Sequence, residues 1–249
     1  MKQEWRYLLL AVGFFSRIPV PALADFKEAE LNRAAKFFPL VGLLIGSITA
    51  FNYWLSAKFF PTDIAVIISM ISSIYITGCF HEDGLADCID GLGGGWSKEQ
   101  VLQIMQDSRI GSYGATALML ILLTKFISLS HISPDLIPWV LLVAHSLSRY
   151  AAILVMMTQY YVRSEGKAKP LATELSSSEF LLASVFGLLP LIILPVHLLW
   201  ALLPVTLIWL FFSAKLKKRI GGYTGDCLGA MQQLTEVMFY LGILAWSLP

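Results

Sequence analysis

The sequence predicts an all-α, polytopic membrane bundle of about seven transmembrane helices preceded by an N-terminal amphipathic helix. Three observations carry that expectation. Of the 249 residues, 57% are hydrophobic and only 14% are charged, against roughly a quarter charged in an ordinary soluble domain. The mean hydropathy is +0.69. Apolar runs long enough to cross a bilayer recur along the whole chain, parted by polar turns, so residues 1–249 read as a single integral membrane domain.

Taken in order, the apolar run of residues 5–15 is too short to span, lacks a small-residue cleavage site and runs into Arg17-Ile-Pro-Val-Pro21. It reads as an amphipathic helix on the membrane or against the bundle, not as a cleaved leader. After the polar segment 24–36, a first span covers residues 37–56, with Gly42 and Gly46 spaced for close helix packing within the chain. Lys58, Pro61 and Thr62-Asp63 make a turn, and Thr62 or Asp63 caps a second span ending near Phe80. The run Gly91-Leu-Gly-Gly-Gly95 is expected to break the helix there. Ser97-x-x-Gln100 has the form of a capping box opening a short interfacial helix to about residue 106. A third span covers residues 113–132, Ser133-Pro-Asp135 turns the chain, and a fourth covers 136–158. A polar loop carrying Arg163, Glu165, Lys167 and Lys169 follows. The apolar block 180–212 is too long for one crossing, and Pro195 with His197 near its middle predicts a hairpin of two spans. The basic cluster Lys215, Lys217, Lys218 and Arg219 then leads into Gly221-Gly-Tyr-Thr-Gly225-Asp226 and a seventh span from about residue 228.

Charge fixes the expected orientation. Segments 1–36, 81–112, 159–178 and 214–228 hold 6, 2, 3 and 4 Lys or Arg, which is 15 of the 18 in the chain. By the positive-inside rule these segments face the cytosol of a multi-pass cytoplasmic (inner) membrane protein, and both glycine-rich acidic loops face it with them. The formal net charge of +1 says little about partners, and no nucleic-acid partner is expected. Cys79, Cys88 and Cys227 are odd in number and lack CxxC spacing, so neither a disulfide framework nor a zinc site is indicated.

The chemistry concentrates in His81-Glu-Asp-Gly-Leu-Ala-Asp-Cys-Ile-Asp-Gly91. On a helix, Asp83, Asp87 and Asp90 stand at i, i+4 and i+7 and share a face within an arc of roughly 60°. Like charges gathered at a membrane edge are costly unless compensated, and an all-oxygen donor set selects a hard cation such as Mg2+. The blander reading is a solvated helix end. Glu82 points about 100° off that face, and Gly84 and Gly91 leave the helix bare for a phosphate or another helix to approach. His81 is a candidate general base or an orienting residue. Arg109 is a candidate phosphate fork with Asp107 joining the metal shell, and a plain surface ion pair is the alternative. Thr224, Gly225 and Asp226 form either an anion-binding nest or a helix cap, and the two readings are compatible. Lys125 and Arg149 lie within spans and need compensation. For Lys125 a structural pair with Glu236 stands beside a substrate role, and Arg149, nearer the cytosolic end, is the better phosphate candidate.

Three stretches, Phe80-His-Glu-Asp-Gly-Leu-Ala-Asp-Cys-Ile-Asp-Gly91, Met105-Gln-Asp-Ser-Arg-Ile-Gly111 and Gly221-Gly-Tyr-Thr-Gly-Asp226, resemble the signatures of the cobalamin synthase family, the adenosylcobinamide-GDP ribazoletransferases. They occur in the same order, and the opening Phe14-Phe-Ser-Arg-Ile-Pro-Val-Pro21 fits as well. The resemblance implies a Mg2+-dependent enzyme joining adenosylcobinamide-GDP to alpha-ribazole or its 5'-phosphate, with release of GMP. It carries the family's acidic motif onto Asp83, Asp87 and Asp90, its Asp-Ser-Arg onto Asp107 and Arg109, and its Thr-Gly-Asp onto Asp226. Cys88 stands where Thr is expected in many members and Cys79 where Gly is common, both off the aspartate face. The metal set under this reading is Asp83, Asp87, Asp90, Asp107 and Asp226, with Asp83, Asp87, His81 and Arg109 catalytic. Arg109, Arg149, Thr224, Gly225 and Lys125 bind substrate. Another membrane phospho- or prenyltransferase is a rival reading, although Asp87 stands where CDP-alcohol phosphotransferases have Arg. A divalent-cation transporter is a second, although transporters bind near the bilayer midplane. The lipid bilayer is a partner, and a homo-oligomer is left open.

Overall fold

The computed structural model describes residues 2–22, 28–163 and 175–247, and the regular structure among them is helical. Helix α1 (Lys2–Phe15) buries Tyr7, Ala11, Val12 and Phe15 while leaving Trp5 exposed, so the amphipathic segment packs on the bundle. Arg6 pairs with Glu30 at 2.9 Å and Lys36 with Glu4 at 2.8 Å, fastening α1 to α2 (Glu28–Ala34) and to the 3-10 turn that opens α3 (Phe38–Ser56). A Cβ on Gly42 would collide with the His145 carbonyl oxygen, and one on Gly46 would lie 3.0 Å from Leu142 Cα. The glycine pair is thus what lets α3 lie against α8 (Ile137–Thr158).

Helix α4 (Thr62–Thr77) ends sooner than the sequence suggests, because Gly78 and Cys79 both take left-handed backbone angles, φ 67° and 60°. The chain bends by 84° there and continues as α5 (Phe80–Gly94). Helix α5 also runs through the glycine stretch expected to end it, stopping at Gly95. Arg219 donates to the carbonyls of Leu92 and Gly95 and so caps those turns. The Ser97–Gln100 capping box opens α6 (Lys98–Ile104), followed by α7 (Ser112–Ser130).

The block breaks where expected, α9 (Ser177–Leu188) passing through two 3-10 segments around Leu194 and Pro195 into α10 (Leu202–Ile220). Only the second part is long enough to cross, so the expected hairpin of two spans becomes one span-length helix and one shorter apolar helix. Gly221 closes α10 at φ 81°, and α11 (Gly225–Ser247) runs back through the bundle. By length and composition four helices are able to cross a membrane, or up to five with α4 and α5 taken as one broken span. The expected seven is therefore approximate. Helix α4 has only 16 residues and α9 only 12, and α11 is diluted by Gln232, Gln233, Thr235 and Glu236.

Those polar residues of α11 form the buried centre of the bundle. Lys125 Nζ lies 2.8 Å from Glu236 Oε1, and Tyr240 donates to the same oxygen at 3.1 Å. Gln232 donates to Ser148 at 3.0 Å and to Glu236 Oε2. Gln233 donates at 3.0 Å to Glu82 on α5. This chain of contacts joins α5, α7, α8 and α11 and sets the position of the acidic helix.

Candidate active site

The site starts from two glycines. A Cβ on Gly84 would sit 3.1 Å from both Cα and the carbonyl oxygen of Asp226, and one on Gly229 would sit 3.3 Å from Gly84 Cα. Only bare backbones allow α5 and α11 to come this close. The contact sets Asp226, in the first turn of α11, beside Asp83 and Asp87 of α5. Thr224 caps α11 by accepting from the Cys227 amide at 3.4 Å, and its hydroxyl also reaches Asp226 Oδ2 at 3.4 Å. The Tyr223 amide donates to the Tyr160 carbonyl at 2.9 Å and the Val162 amide to the Tyr223 carbonyl at 3.0 Å, a parallel bridge between 160–162 and 223. That bridge delivers Arg163, whose Nη2 lies 2.8 Å from Asp226 Oδ2.

The electrostatics are those of an anionic surface short of cations. Burial, then the charges of Asp83 and Asp226, push the Asp87 carboxyl up to about 7, against an opposing pull from Arg163. Burial also raises Asp226, with Arg163 and Thr224 holding it down. The all-oxygen character of Asp83, Asp87 and Asp226 suits a hard divalent cation. Among the described residues no three His, Cys, Asp or Glu groups stand close enough to hold an ion as they are, and Asp226 is already engaged by Arg163.

The remaining predicted residues divide. Asp90 shares the helix face of Asp83 and Asp87, but its end of that face lies beneath α7. Its carboxylate accepts from the Gly111 amide at 2.8 Å and the Gly114 amide at 2.9 Å, a negative charge on a helix N-terminus. Asp107 and Arg109 form an exposed pair with each other at 2.6 Å, which lowers the Asp107 carboxyl to about 2. His81 is buried, stacked on Phe38 at 5.9 Å, with no partner for Nε2 among the described residues. Two residues from Asp83, it lies about 200° around the helix, away from the aspartate face that its nearness in sequence suggested. Gly225 lines a small apolar cavity with Phe38, Phe80 and His81. Lys125 is held by Glu236.

Arg149 is buried in the bundle, donating to the His145 carbonyl at 2.9 Å, with Nη1 3.2 Å from His145 Nδ1. Nη1 is thus used inside the protein, while Nε has no partner among the described residues. Arg149→Lys is therefore expected to keep donor affinity within about twofold, while Arg149→Ala lowers the melting temperature by several degrees, on the order of 1–3 kcal/mol for a broken buried polar contact. Donor affinity and melting in one detergent check this, and a large affinity loss in the lysine variant would return Arg149 to the site. Arg163 is the residue that sequence reasoning passed over. It read as one charge in a polar loop, and its partner lies across the chain at Asp226.

The family model described as cobalamin-5-phosphate synthase matches residues 7–244. This chain belongs to the cobalamin-5-phosphate synthase family. Among its relatives, the adenosylcobinamide-GDP ribazoletransferase of Ralstonia pickettii (strain 12J) is 47% identical, covering 99% of this chain and 98% of the relative. Those of Vibrio cholerae serotype O1 (strain ATCC 39541) and Shewanella woodyi (strain ATCC 51908) are each 43% identical, the former covering 99% of this chain and 96% of the relative, the latter 100% and 99%. No solved structure matches the chain. As a member of this family the chain is an enzyme, a transferase acting in cobalamin synthesis.

Proposed function

We propose that the chain transfers the adenosylcobinamide phosphoryl group from adenosylcobinamide-GDP to alpha-ribazole or its 5'-phosphate, releasing GMP, on the acidic face where α5 meets α11. The observation that carries the location is the Gly84 contact, which gathers Asp83, Asp87 and Asp226 into one anionic surface. In the reaction the acceptor oxygen forms a bond to the corrinoid-side phosphorus, and the bond from that phosphorus to GMP breaks. Asp83, Asp87 and Asp226 are the residues that would hold Mg2+, with Asp90 and Asp107 supporting the elements around them. When bound, the ion would neutralise the donor's phosphate oxygens and the developing charge on GMP. The acceptor hydroxyl must lose a proton. His81 is turned into the bundle, so an aspartate of this face left free of the ion is the better-placed base.

The test is GMP release by the purified protein from adenosylcobinamide-GDP, with and without alpha-ribazole and Mg2+. Release that requires both supports the reading. Cation flux into vesicles without GMP release would favour a transporter instead.

We place the site on the cytosolic side of the inner membrane, with Met119, Leu120 and Phe211 among the exposed apolar side chains facing lipid. On a cysteine-free background, single cysteines at the exposed positions 98 and 218 are expected to resist impermeant thiol reagents in intact cells and to react in inverted vesicles. Labelling of either from outside would overturn the orientation.

A further inference from the structure

We propose that Arg163 grips the diphosphate of the nucleotide-linked donor, and that its pairing with Asp226 is a resting contact which binding exchanges for that anion. The inference rests on the acidic-face reading above and names the residue that completes it. Arg163 is nearly buried, its side chain 13% exposed, yet part of its hydrogen-bonding capacity is idle. Nη2 pairs with Asp226 Oδ2 at 2.8 Å, and Nε has no partner among the described residues. A guanidinium carries five donors in a planar fork that matches phosphate oxygens two at a time. Leaving such donors idle in a nearly buried position is unfavourable unless a ligand takes them up.

Its position does not depend on Asp226. The main-chain bridge of Val162 and Tyr223 holds the preceding residue against the loop that opens α11, so the backbone from which Arg163 reaches stays beside the acidic face when the carboxylate lets go. Asp87 and Asp226 both feel its charge. In the resting structure one carboxylate of Asp83, Asp87 and Asp226 is engaged by the chain's own cation. A divalent ion competing for Asp226 would displace Arg163 and leave its fork free for the anion that accompanies the metal. Cation and diphosphate then enter as partners in one exchange.

The experiment uses the full-length protein in detergent with Arg163→Gln and Arg163→Lys. Mn2+ binding is measured alone by electron paramagnetic resonance, and GDP binding at saturating Mn2+ by calorimetry. Arg163→Gln is expected to bind Mn2+ at least as tightly as the wild type, since the competing cation is gone. Its GDP affinity is expected to fall by about tenfold or more. Arg163→Lys, which keeps the charge without the fork, should lie between the two, and it serves as the decisive variant if the glutamine protein does not fold. GDP affinity unchanged in the variant that folds, or a parallel loss of Mn2+ and GDP binding as from a structural defect, overturns the inference while leaving the acidic face intact. Wild-type protein that binds no Mn2+ sinks the acidic-face reading and this inference together.

Discussion

Asp83→Asn and Asp87→Asn are each expected to lower turnover by at least about 100-fold while the protein still inserts and melts near the wild-type temperature. The two carboxylates lie on the open part of the α5 face, one exposed and one half-buried, and neither is spent on a backbone amide or a structural ion pair among the described contacts. On the proposed reading, removing either charge takes away a metal ligand without loosening the bundle. Asp90→Asn is expected to differ in kind. An amide retains one acceptor oxygen of the two that now receive the Gly111 and Gly114 amides, so the loss falls on the N-terminus of α7. A capping loss of this sort is about 0.5–2 kcal/mol. Glu82→Gln, turned toward Gln233, should be mild by comparison. Steady-state GMP release and thermal melting of the four variants decide the matter. Near-normal turnover in both Asp83→Asn and Asp87→Asn would remove the acidic face as the reaction centre.

The largest stability effect is expected at Glu236. This carboxylate holds Lys125 at 2.8 Å, accepts from Tyr240 and Gln232, and lies 3.8 Å from His145 Nδ1, all inside the bundle. Glu236→Leu leaves Lys125 and the nearby Arg149 without it, and breaking a buried pair by removing one partner costs about 3–5 kcal/mol. Lys125→Met alone should cost a similar amount, by stranding the carboxylate. The double variant is expected to recover much of the loss, because an apolar pair of comparable volume is tolerated where a single charge is not. Unfolding in mixed micelles for the four members of the cycle gives the coupling. A single-variant loss below about 1 kcal/mol would mean that water reaches the pair.

The features legible beforehand were those governed by local periodicity and by the bilayer. The common face of the three aspartates, the glycine approach at Gly84, the Gly42 and Gly46 packing stripe, the break about Pro195 and the Lys125–Glu236 pair all follow from spacing, residue size or the expense of charge in an apolar span. What was not legible was which neighbour would cover which part of a face. Asp83 and Asp90 point the same way along α5, but α7 closes over one end while α11 meets the other, and helical periodicity does not distinguish the ends. Arg163 was invisible for a related reason. A main-chain bridge to Tyr223 places it, and such a bridge leaves no mark in side-chain pattern. The second span was drawn too long because Cys79, a residue with a Cβ, adopts the left-handed backbone that usually signals glycine.

The way α5 ends bears on how the protein is made. Three of its last four residues are glycine, a composition that weakens a helix by about 1 kcal/mol per residue relative to alanine. Its last turns are held by Arg219, which lies 127 residues beyond Leu92 in the chain. During synthesis the acidic stretch leaves the ribosome long before that arginine exists. The first turn of α11, carrying Asp226, is made later still. A nascent or prematurely terminated chain therefore carries Asp83 and Asp87 without the clamp that finishes their helix and without their third carboxylate. On the proposed reading of the acidic face, the site is assembled only after nearly all of the chain has been translated.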